Sequence, residues 1–111
     1  MKIRYFAAFL IFVLIASTFV ACSKKEVDYP NVTDFEIALN AGEDVAGKTV
    51  TFTVDIVIPN SAFGYNIQAG EHLNFCSDTN PRVKQGDVIT VKVIEVSSML
   101  GSYIIRYKMV K

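Results

Sequence analysis

His72, Asn74 and Cys76 stand at alternate positions past the middle of the chain, and a thiol, an imidazole and an amide are the three parts of a cysteine hydrolase site. There the histidine takes the thiol proton and the amide orients the ring. The spacing works against this chemistry. With Leu73 and Phe75 facing a core, all three side chains point the other way, and positions four apart on a strand lie about 13 Å apart at ~3.3 Å per residue. A thiol and its base need about 3 Å. The same separation argues against joint metal binding, and one histidine without a second ligand cluster is a weak basis for a metal centre. Catalysis would require another acid or base folded beside His72, such as Glu71 or Asp78. The expectation is therefore no enzyme, no cofactor and no metal, with Cys76 a small strand residue.

A second constellation is Phe63, Tyr65, Asn66, His72 and Asn74. Aromatic rings interleaved with amides suit a sugar, a peptide, another small ligand or the surface of a partner protein. The plainer alternative makes Phe63 and Tyr65 core residues and the amides solvated. Stacking on nucleic acid is the third use of such a list, but charge excludes it. The whole chain is formally neutral; residues 22–111 carry nine basic against eleven acidic residues, a net −2. That segment lacks the basic field on which phosphate binding depends.

The elements that must position these residues are mostly strands. Residues 33–40 read as a short helix: Thr33 and Glu36 form a capping box, Val32 and Ile37 a hydrophobic staple, and Gly42 a stop. Phe35, Ala38 and Leu39 share one face, which must cover the sheet, because so short a helix does not hold alone. Residues 48–58 alternate Val50, Phe52, Val54 and Ile56 with threonines and Asp55. That is one long, half-buried strand, expected to bend and serve two parts of a curled sheet. Further strands are expected at 63–68, 71–76, 88–96 and 103–109. In the 88–96 strand the apolar phase slips from Val93 to Ile94, as at a bulge. Met99, Leu100 and Tyr103 flank the last turn, as an apolar lip or as loop packing. Five antiparallel strands with a bent first member and a small capping helix favour a closed or nearly closed barrel, which removes exposed edges.

Ahead of this domain, Lys2 and Arg4 precede fifteen uncharged residues, 6–20, followed by Ala21-Cys22 and the polar Ser23-Lys24-Lys25-Glu26. A basic start, an apolar run and a small residue before a cut make a secretory signal. The ending Phe19-Val20-Ala21-Cys22 resembles the lipobox of bacterial lipoproteins. That resemblance implies a signal peptide at residues 1–21 and diacylglycerol on the Cys22 thiol, and it places the protein on the cell membrane or outer membrane, facing away from the cytoplasm. An uncleaved membrane helix is the alternative, since residues 6–22 reach the lower end of the roughly 17–25 positions needed to cross a bilayer. Two acyl chains on one cysteine satisfy the two-signal requirement for stable anchoring. Residues 22–31 then form a lipidated tether, with Lys24 and Lys25 near the headgroups or simply solvated, and residues 32–111 a single domain. With Cys22 blocked, Cys76 has no partner in the chain, and no disulfide is expected.

The run Gly47-Lys48-Thr49-Val50-Thr51-Phe52-Thr53-Val54, with Lys84-Gln85-Gly86-Asp87-Val88-Ile89-Thr90-Val91-Lys92, resembles bacterial OB-like domains of the tRNA-anti-like group. The resemblance implies a five-stranded OB-like barrel over roughly residues 32–111, of a kind found in small lipoproteins. In OB folds the face of strands two and three commonly holds the ligand, and that is the face on which Phe63, Tyr65, Asn66, His72 and Asn74 are expected. Two functions remain open at this point: a lipid-anchored binding or accessory module, and a structural or assembly protein of a cell-envelope complex.

Overall fold

Between Thr49 and Ser61 the chain builds two strands where the alternation predicts one. In the computed structural model, which describes residues 26–110, β1 (Thr49–Thr53) and β2 (Ile56–Ser61) are separated by Val54 and Asp55. The two separating residues bond in different directions. Val54 N–H donates to the Asp87 carbonyl at 2.8 Å, while Asp55 N–H donates to the Gln68 carbonyl at 3.0 Å. The strand leaves one neighbour for another at this point. The expected bend is present, and it is sharp enough to break the ladder.

Four more strands follow: β3 (Gly64–Ala69), β4 (Leu73–Ser77), β5 (Val88–Met99) and β6 (Ser102–Met109). They form a six-stranded sheet in the order β1-β5-β6-β4-β3-β2, antiparallel except for the parallel pair β4·β6. The fold is mainly β, a curled sheet whose two edge strands, β1 and β2, are consecutive in the chain. Phe63, expected inside a strand, lies instead at the turn between β2 and β3. Pro59 is tolerated in β2 because this strand is an edge, where a missing N–H costs no ladder bond. Gly64 is required at its position. Its φ is +94°, and a Cβ there would sit 2.5 Å from the Ser77 carbonyl oxygen.

The helix α1 (Val32–Asn40) has its cap two residues earlier than expected. Asn31 accepts from Asp34 N–H at 2.8 Å, so the Thr33–Glu36 capping box does not form. Asparagine in extended conformation caps at least as well as threonine, and Glu36 is thereby free for another contact. At the far end Gly42, with φ +78°, and Glu43 donate to the carbonyls of Leu39 and Ala38 in a Schellman arrangement. The predicted inner face holds: Phe35, Ala38 and Leu39 are buried.

The core lies inside the curl. Phe52 and Phe75 stack with centroids 4.2 Å apart, and Phe35 and Tyr107 approach Phe75 at 6.1 and 6.2 Å. Ile67, Leu73, Val91, Val93 and Ile105 fill the rest. The expected signal helix, Cys22 and the tether as far as residue 25 lie outside the described residues. Among the described residues no helix is long and apolar enough to cross a membrane.

Candidate functional site

Strand alternation divides the five residues expected to share a face. Tyr65 is on the inner side with Ile67, and Asn66 is on the outer side, paired with Cys76. Asn66 and Asn74 do meet. Asn66 Nδ2 and Gln68 Nε2 each donate to Asn74 Oδ1 at 3.2 Å, and Asn74 Nδ2 donates to the Tyr103 carbonyl at 3.2 Å. This amide ladder ties β3, β4 and β6 together and spends most of its donors internally. Asn66 Oδ1 is buried with no hydrogen-bond partner among the described residues. Phe63, at the turn, is 37% exposed and takes no part. The five residues therefore form no common pocket.

His72 is occupied elsewhere. Its Nδ1 lies 2.7 Å from Glu36 Oε2, joining α1 to the start of β4. The carboxylate beside it is thus Glu36, released by the Asn31 cap, and neither Glu71 nor Asp78. No hydroxyl or thiol hydrogen bonds to His72 among the described residues. Cys76 is 1% exposed on the outer side of β4, and its Sγ hydrogen bonds to the Asn74 carbonyl at 3.8 Å. Burial pushes its thiol above the ordinary value, against a smaller opposing pull from Arg106. A thiol held in its protonated form is a poor nucleophile. Among the described residues no group of three or more His, Cys, Asp or Glu could hold a metal ion.

A cleft opens on another part of the molecule, between residues 42–46 and the far half of β5. Its volume is about 390 Å³. Leu39, Val45, Val96 and Tyr103 supply apolar surface, and Glu43, Asp44 and Glu95 add carboxylates. Each wall has a local cause. The Schellman turn throws the chain out of α1, Asp44 Oδ1 accepts from Ala46 N–H at 3.2 Å, and Val45 is buried to 3% exposure as a staple. On the opposite wall, the ladder of β5 with β6 shifts between Val93 and Glu95, the bulge that the phase slip predicts. Ile94 follows the buried Val93 and points outward, 54% exposed at the cleft, while the extra residue keeps Glu95 outward opposite Arg106 and returns Val96 to the core side opposite Ile105. Tyr103 Oη donates to Asn40 Oδ1 at 2.7 Å and holds β6 against the end of α1.

Of the expected apolar lip, Tyr103 lines this cleft, while Met99 and Leu100 sit at the β5–β6 turn, Leu100 at 99% exposure. The cleft is not visible as a motif, because its walls come from stretches some fifty positions apart. The phase slip at Ile94 is the one local signal that points to it. No family model matches the chain, and no match was found among curated proteins or solved structures.

Proposed function

We propose that this chain is a lipid-anchored, extracytoplasmic binding module, tethered through Cys22 and using the cleft between residues 42–46 and β5 to hold its partner. Three features support the reading. A basic, apolar and then Ala-Cys run occupies residues 1–22. Asp28 N–H donates to Thr49 Oγ1 at 3.0 Å only six residues after Cys22, which keeps the domain close to the proposed anchor. The sheet order, with edge strands drawn from one bent segment and a single parallel pair, fits an OB-like barrel over residues 32–111 if β1 and β2 are counted as one strand. The cleft carries the binding part of the reading, since it joins apolar surface to a few placed polar groups, as ligand sites do.

A second reading, an envelope assembly protein, is favoured by the exposed Ile94 at the cleft and the exposed Met99 and Leu100 at the β5–β6 turn. Metabolic labelling with an alkynyl fatty acid, followed by mass spectrometry, tests the anchor. Label is expected on Cys22 and absent in Cys22→Ala, and an intact Met1 on protein in the soluble fraction would overturn the anchor. Pull-downs from solubilised membranes with wild type and Ile94→Glu test the cleft. Identical partners from both would remove it as the binding surface.

A further inference from the structure

β5 changes from a central strand into an edge along its own length. Its register with β1 runs from Val88 to Lys92, and Val93 still exchanges bonds with Gly47 and Lys48, both at 2.8 Å. From Ile94 onward β1 has ended, and among the described residues only β6 pairs with β5. The direction of the remaining backbone groups follows from the register. Tyr103 N–H donates to the His72 carbonyl, so Tyr103, and Ile105 two residues on, turn their backbone groups to β4. Their partners on β5 are Ser98 and Val96. Residues opposite each other in an antiparallel pair bond together or point away together. The N–H and C=O groups of Val96 and Ser98 therefore face away from β6, into the cleft that both residues line.

We propose that this open edge of β5 receives an extended, basic segment of a partner polypeptide as an added strand. The inference rests on the binding-module reading and specifies the class of partner. Backbone groups at Val96 and Ser98 supply the ladder, and Leu39, Val45 and Tyr103 take up alternate apolar side chains. Glu43, Asp44 and Glu95 select lysine or arginine at the intervening positions and disfavour an acidic segment. A sugar or a compact small molecule would leave the spaced backbone donors and acceptors unused.

The test uses the full chain in detergent and a dye-labelled nine-residue peptide of alternating lysine and valine, followed by fluorescence anisotropy. The Lys-Val peptide is expected to bind at least about tenfold more tightly than its Glu-Val counterpart and than a version N-methylated at alternate residues, the loss of a charge-assisted or ladder bond. Ser98→Pro removes an outward N–H and no bond to β6, so the fold is expected to persist while affinity drops about tenfold. If that variant does not fold, the N-methylated peptide gives the same reading on wild-type protein. Binding that is indifferent to N-methylation would overturn strand addition. So would absence of Lys-Val binding when membrane pull-downs still yield Ile94-dependent partners; absence of any such partner would instead bring down the binding-module reading itself. Concentration-dependent dimerisation abolished by Ser98→Pro would assign the edge to a second copy and overturn the proposal.

Discussion

In the first half of β5, residues 88–92 pair with β1 and residues 91–93 also pair with β6, whereas in the second half residues 94–99 have β6 alone among the described residues. In the first half Val91 and Val93 are at most 1% exposed. In the second, Ile94 is 54% exposed and Met99 46%. One bulged residue and the end of β1 separate the two. A strand's role is thus set by what flanks it, and one continuous hairpin contains both a core element and an unpaired template.

The comparison predicts its largest effect in amide exchange. The N–H groups of Val91 and Val93 should open only with global unfolding, while those of Val96 and Ser98, without partners among the described residues, should exchange near the rate of an open chain. The expected difference is on the order of a thousandfold or more. Equal protection measured by mass spectrometry or NMR would mean that the outer edge is covered.

Removing the cover from the first half comes next. Phe52 on β1 is 3% exposed and stacks on Phe75. Phe52→Ala is expected to cost about 3–5 kcal/mol in denaturant unfolding, and a loss below about 1 kcal/mol would show that β1 contributes little to the covered half.

Tyr107, opposite Val93, makes the same point through pH. Its phenol is pushed up to about 12, chiefly by burial and secondarily by the neighbouring Cys76. Ser77 opposes the shift, though its hydroxyl falls short of a hydrogen bond and Tyr107 Oη has no partner among the described residues. The unfolded chain ionises near 10 and the folded one near 12. This stability is therefore fully present below about pH 10 and lost as pH rises through about 12, a change of roughly 2–3 kcal/mol. In Tyr107→Phe this contribution to the alkaline decline should disappear, with little loss at neutral pH because no hydrogen bond is removed. Unfolding curves at pH 8 and 11.5 for both proteins decide it.

The smallest effect is at the tip of the second half. Leu100 and Gly101 have φ of +50° and +84°, the signature of a tight primed turn. Leucine is strained there, and Leu100→Asn should raise stability by about 1 kcal/mol while leaving peptide binding unchanged. A drop in stability would mean that the exposed leucine makes a contact in solution.

Local chemistry was enough to place most elements. The apolar face of Phe35, Ala38 and Leu39, the alternation through Val50 and Phe52, the inward Leu73 and Phe75, and the slip at Ile94 all follow from period and side-chain type, which neighbours along the chain determine. The choice between Asn31 and Thr33 as cap was beyond that reach, because both are good caps, and so was the contact of the released Glu36 with His72, thirty-six positions away. The split at Val54–Asp55 likewise depends on two different partner strands. The aromatic and amide residues around β3 and β4 had the right types for a site, and folding placed them on opposite faces. The cleft arose instead where β1 stops before β5 does, a mismatch of strand lengths that no single stretch encodes. Periodicity records which side of an element is apolar; which backbone edges stay unpaired is decided only when distant strands align.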